Sequence, residues 1–179
     1  MLKTIIKNQI MKKLIIYSLI FFLFVSCKKL TVGESYQGGK IAYIDASGKH
    51  GLIAAPSDQS TSSPWGCAGT PISGADGTAI GTGCQNTIDI MNGCSTPGIA
   101  ARICGDLVLG GYSDWYLPSK DELNQLYINR VSIGGFTGLR YWMSKEQDNN
   151  LGALQDFGNG NLNITVKNST DCVRAVRSF

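Results

Sequence analysis

A single α+β domain is the fold this sequence predicts, on three observations. Helix-start signals cluster in the middle of the chain, strand pairs with turn residues between them lie at both ends, and no internal repeat is present. Residues 27–179 follow an export-type leader and number 153, enough to bury about 70% of the unfolded surface in one core. The expected layout is a leader over 1–26, a polar tether over 27–37 and one domain over 38–179.

The first pair of strands is Lys40–Asp45 and His50–Ala55, joined by the turn Ala46-Ser47-Gly48-Lys49. Pro56 to Gly83 is rich in Gly, Ser, Thr and Pro and lacks periodicity, which predicts a long binding loop or a disordered segment. Asn86 can cap a short helix through Met91. Thr96-Pro97 starts a second helix, with proline in the first turn where its missing N–H costs nothing, and Ile99, Ile103 and Leu107 share one face.

Asp114–Pro118 reads as a short extended segment. Ser119-Lys120-Asp121-Glu122 is a capping box, with Leu123, Leu126 and Tyr127 forming the buried side of its helix. Leu139–Lys145, Leu151–Phe157 and Leu162–Lys167 are strand-like, and Gly158-Asn159-Gly160-Asn161 turns the chain between the last two. Cys172–Val176 supplies a final alternating strand. Trp115 and Trp142 belong in the core, each needing a partner for its N–H. Arg174 and Arg177, three apart in a strand, point to opposite faces, so one of them at most faces a ligand and the other can pair with a carboxylate such as Asp114.

The leader carries its own chemistry. Met11-Lys12-Lys13, an apolar run of 12 residues from Leu14 to Val25, and Ser26-Cys27 combine a basic start, an apolar core and a small residue before the cut. The run is shorter than the ~20 residues that span a bilayer. A cysteine directly after the small residue resembles the lipobox of bacterial lipoproteins, which makes Cys27 the lipid-attachment residue and membrane contact its role. Lys28 at the next position points to the outer membrane, periplasmic or surface-exposed. Met11 is an alternative start.

Removing the leader takes away Lys3, Lys7, Lys12 and Lys13, so the formal charge of +3 becomes −1, with 12 Lys+Arg against 13 Asp+Glu. No basic stripe remains, which argues against nucleic acid as a partner. Cys67, Cys84, Cys94, Cys104 and Cys172 are disulfide candidates for an oxidising compartment, and five being odd, at least one is unpaired within the chain. Cys94 and Cys104 are one candidate pair, yet a helix from Pro97 places Cys104 about 10 Å along it, so the connectivity stays open. The cysteine spacings fit no zinc site, and with His50 the single histidine, neither metal nor cofactor is expected.

GYSDWYLPSKDELNQLY (Gly111–Tyr127), YWMSKE (Tyr141–Glu146), the Phe157-Gly158 hairpin and VRAVR (Val173–Arg177) together resemble the Lcl-type C-terminal domain family. That family is named for the terminal domain of a collagen-like bacterial adhesin, and the resemblance covers about residues 38–179. It implies a C-type-lectin-like architecture, related to formylglycine-generating enzymes, and a role in surface adhesion with glycan binding. The tripeptides of the calcium-dependent lectins (Glu-Pro-Asn, Gln-Pro-Asp, Trp-Asn-Asp) do not occur here.

The expected function is therefore a lipid-anchored, non-catalytic envelope module that recognises a glycan. The candidate ligand residues are Trp65, which its Gly/Ser/Pro setting would expose, and Asn149, Asn150, Asn159, Asn161 and Asn163, whose amides both donate and accept hydrogen bonds as sugar hydroxyls require. An envelope protein is the alternative partner. A formylglycine-generating-like oxidase is a second alternative, although only Cys172 follows Cys104 where a copper-binding pair would be needed.

Overall fold

The computed structural model describes residues 29–137 and 139–179. Cys27, the expected lipid-attachment residue, lies outside the described residues. The architecture is α+β, with nine strands and four helices among the described residues. A four-stranded sheet has the order β1-β2-β3-β9, built from β1 (Ser35–Tyr36), β2 (Gly39–Ile44), β3 (Gly51–Ala54) and β9 (Val176–Ser178). A five-stranded sheet has the order β4-β8-β5-β6-β7, built from β4 (Ser60–Pro64), β5 (Arg140–Glu146), β6 (Leu151–Asp156), β7 (Leu162–Val166) and β8 (Thr170–Val173). All strand pairs are antiparallel except β5 with β8, which meet in parallel at Tyr141 and Cys172. The helices are α1 (Gly83–Gly93), α2 (Ala100–Gly105), α3 (Lys120–Ile128) and α4 (Arg130–Ile133).

Two apolar clusters fill the domain. One gathers Trp65, Trp115, Trp142, Ile90, Ile99 and Leu154; the other gathers Tyr116, Leu123, Leu126, Tyr141, Met143 and Phe157. The tryptophan N–H groups are satisfied within the protein, Trp142 by the Ser63 carbonyl at 2.7 Å and Trp115 by the Leu109 carbonyl at 3.3 Å. Buried indoles keep such partners because an orphaned donor costs free energy.

Local chemistry explains the elements the sequence predicts well. In the β2–β3 turn the Asp45 carboxylate accepts from the Ser47 N–H at 3.0 Å and from its hydroxyl at 2.6 Å. At α3 the capping box closes in both directions: the Ser119 N–H donates to Glu122 at 2.7 Å, and the Glu122 N–H donates back to the Ser119 hydroxyl at 3.4 Å. Tyr116 in the extended segment bridges Val176, fastening the entrance to α3 onto β9.

Several expectations are corrected. The Pro56–Gly83 segment contains β4, and its remainder is tied down through the Trp65, Gly69 and Ile72 N–H groups and the Ala75 carbonyl. Residues 33–36, inside the expected tether, belong to the domain: Ser35–Tyr36 pairs with β2 and the Gly33 N–H reaches the Ile41 carbonyl at 2.8 Å. The expected short helix is the longest among the described residues, beginning at Gly83, and Asn86 lies inside it. Its amide bonds the Gly77 backbone on both sides and the Ser144 hydroxyl instead of capping. Helix α2 begins at Ala100, not at Pro97, since Gly98 has φ +74° and Ile99 is extended. The last strand divides: β8 ends at Val173 and β9 begins at Val176, so Arg174 and Ala175 carry the chain from one sheet to the other.

The disulfide joins Cys67 to Cys94, with Cα atoms 5.7 Å apart. Cys84 (exposed), Cys104 and Cys172 (both buried) are free thiols, so the Cys94–Cys104 alternative is not formed. The bridge ties the 56–83 segment to the C-terminal end of α1.

Candidate functional site

Trp65 is 0% exposed, which overturns its expected place on a ligand surface. Its Nε1 donates to the Met143 carbonyl at 2.8 Å. Its ring lies so close over Gly152 that a Cβ there would come within 2.8 Å of it. The Lys167 ammonium stands 4.9 Å from the ring centroid and is itself buried, paired with Glu146 and donating to the Thr70 carbonyl at 2.8 Å. A ring enclosed on these sides cannot stack on a sugar. Arg174 and Arg177 are likewise structural. Arg174 bonds Asp58 at 2.8 Å and the Ala55 carbonyl at 2.8 Å; Arg177 grips Asp114 with two nitrogens at 2.7 and 2.8 Å.

The five asparagines do not converge. Asn149 and Asn150 lie in the β5–β6 turn, where the Asn149 carbonyl accepts from the Gly69 N–H at 2.9 Å. Asn159 and Asn161 lie in the β6–β7 turn, at the other end of β6. Six residues of strand at ~3.3 Å each separate the two turns by roughly 20 Å. Asn163, exposed on β7, donates to the Asn161 carbonyl at 3.2 Å and so belongs with the second group.

A polar recess of about 300 Å³ lies beside that second group, lined by Thr61, Leu139, Arg140, Asp156, Thr170, Asp171 and Cys172. Strands β4, β5, β6 and β8 each contribute, so four non-consecutive pieces of sequence build one surface. The Arg140 Nε donates to Asp171 Oδ1 at 2.9 Å. Asp171 is 6% exposed, and its Oδ2 has no hydrogen-bond partner among the described residues. Burial raises the Asp171 carboxyl against the opposing pull of Arg140. Asp156 is held in place by the Gly158 N–H at 2.7 Å and by the Asn159 amide at 3.2 Å, which sets Asn159 next to this carboxylate.

The recess thus combines a guanidinium, two carboxylates and two threonine hydroxyls, with the half-exposed aliphatic face of Leu139 beside them. This donor and acceptor mixture suits a neutral polyhydroxylated ligand with one apolar face. Cys172 is no poised nucleophile: burial raises its thiol above the ordinary range, which keeps it neutral near pH 7.

Among other recesses of greater volume, two are differently built. One of about 840 Å³ lies where the described chain begins, along Lys29, Leu30, Tyr36 and the 44–49 turn; one of about 580 Å³ runs along α2 past Arg102 and Val108. Neither gathers charged side chains from several strands.

Sequence reasoning missed Thr61, Arg140, Asp156, Thr170 and Asp171. A usable signal was present in Arg140 and Asp171, each a charged residue directly before an apolar pair, Tyr141-Trp142 and Cys172-Val173. Comparison of the chain with protein-family models found no match, and comparison with curated proteins found none either.

Proposed function

We propose that this chain is a lipid-anchored envelope module that binds a glycan, without catalysis and without calcium, at the recess around Arg140 and Asp171. The observation that carries this reading is the recess itself, where the Arg140–Asp171 pair, the Asp156 carboxylate held by Asn159, and Thr61 and Thr170 come from separate stretches of chain to border one cavity beside the exposed Leu139. Charged and hydroxyl-bearing side chains gathered at one recess offer both donors and acceptors to sugar hydroxyls, and Leu139 offers an apolar surface beside them. The resemblance of the Gly111–Tyr127 and Tyr141–Glu146 blocks to the Lcl-type adhesin domain supports the same reading, as does the lipobox-like Ser26-Cys27 for the anchor. The lectin-like architecture belongs to this proposal.

The test uses the full chain purified in detergent and applied to a glycan array with and without EDTA. Saturable binding that EDTA leaves unchanged, and that Thr170→Ala or Thr61→Ala weakens at least tenfold while the melting temperature holds, supports the reading. Absence of binding to every glycan, or binding that these variants leave unchanged, overturns it and moves the function to an envelope protein partner.

A further inference from the structure

Strand β7 is the open edge of the five-stranded sheet, and it lacks the devices that usually protect an edge. Its sequence, Leu162-Asn163-Ile164-Thr165-Val166, contains no charge and no proline. Leu162, Ile164 and Val166 are 51%, 53% and 46% exposed, and their alternation puts all three on one face.

The register also fixes which backbone groups meet solvent. The Asp156 N–H donates to the Asn161 carbonyl and the Lys167 N–H to the Asn150 carbonyl, so the odd-numbered residues of β7 bond to β6. The even-numbered ones, Leu162, Ile164 and Val166, therefore aim their N–H and C=O groups at the open edge. The Val166 carbonyl additionally accepts from the Ser169 N–H at 2.9 Å. The residues that expose apolar side chains are the same residues that expose backbone.

We infer that β7 pairs antiparallel with the β7 strand of a second copy of this chain, across a two-fold axis at Ile164. That register places Ile164 opposite its own counterpart and Leu162 opposite Val166 of the other copy. The outward groups of Leu162 and Ile164 are used, the Val166 carbonyl is shared between the Ser169 N–H and the Leu162 N–H of the other copy, and the three aliphatic side chains of each copy fall on one continuous face. Charge favours this occupant over a charged peptide. The strand itself is neutral, and Lys167, which follows it, is buried against Glu146, so two paired β7 strands oppose no like charges and a charged peptide would find no counter-charge on the strand. Pairing over five residues falls at the low end of interface sizes, under about 1,200 Å², which makes the association weak and reversible.

Cross-linking in the full chain tests the register, in a Cys84→Ser background that removes the exposed native thiol. Across the axis the Ile164 Cα atoms would stand about 5.5 Å apart, within disulfide reach, whereas the Leu162 Cα atoms would stand about 13 Å apart. Mild oxidation should link Ile164→Cys chains into dimers at least fivefold faster than Leu162→Cys chains. Mixing Leu162→Cys with Val166→Cys chains should restore the fast rate. Ile164→Lys should abolish concentration-dependent dimers in sedimentation without lowering the melting temperature. Equal rates at positions 162 and 164, or no dimer at 164, overturn the proposal.

Discussion

Lys167 and Glu146 form an ion pair inside the domain, beside the ring of Trp65. Glu146 also accepts from the Ile72 N–H through both oxygens, at 2.9 and 3.1 Å, and the Lys167 ammonium donates to the Thr70 carbonyl. Two strand ends thereby hold the 65–75 segment against the sheet. The segment keeps its shape through charge-assisted bonds in place of regular secondary structure.

Lys167→Met should destabilise the protein by about 3–5 kcal/mol, since it leaves the Glu146 carboxylate with its counter-charge removed. The double variant Lys167→Met/Glu146→Gln should recover part of that loss. Urea unfolding of the two variants decides the point; a double variant no more stable than Lys167→Met would show that the unpaired carboxylate is not the source of the cost.

Reduction of Cys67–Cys94 should cost about 3–4 kcal/mol, because the bridge closes a loop with a sequence separation of 27 and restricts the unfolded chain accordingly. Unfolding with and without reductant measures it, with Cys67→Ser/Cys94→Ser as the reagent-free equivalent. A difference below about 1 kcal/mol would mean that the surrounding hydrogen bonds hold the segment by themselves.

Glu122 gives a pH-dependent signature. Burial raises its carboxyl above the ordinary 4.5, against the lowering effect of the Ser119 and Gly81 N–H groups. The folded state therefore holds this proton more tightly than the unfolded state. Its contribution is fully present below about pH 4.5 and is lost as pH rises through the raised value. Glu122→Gln removes that slope, so the deficit of the variant relative to the parent should be greatest near pH 4 and shrink toward pH 8. Urea unfolding at both pH values checks the sign; a deficit that grows with pH would contradict it.

Gly152→Ala should destabilise by about 1–3 kcal/mol, because its Cβ would come within 2.8 Å of the Trp65 ring. A shift in tryptophan emission should accompany the loss. Unchanged stability would mean that the indole moves aside freely, against its bond to Met143.

What the sequence made legible follows the range of the interactions. The α3 capping box spans three residues, and the β2–β3 and β6–β7 turns lie within a few, so local patterns were sufficient for them. The start of α2 was misplaced because Gly98 adopts φ +74°, a conformation that the Thr96-Pro97 pattern does not reveal. Trp65 is buried by Met143, Gly152 and Lys167, the first of them 78 residues away, while its neighbours in sequence suggest exposure. The recess was illegible for the same reason. Arg140 reaches Asp171 across the parallel junction of β5 and β8, and nothing in an alternating pattern indicates which strands will be neighbours.

Amide chemical-shift mapping of the full chain in detergent decides whether the Arg140–Asp171 recess holds the ligand. With a glycan that scores on the array, saturable shifts are expected at Thr61, Arg140, Asn159, Thr170 and Asp171, and none at Asn149 and Asn150 at the other end of β6. Shifts confined to Asn149 and Asn150, or saturable binding that leaves the recess amides unmoved, would contradict it.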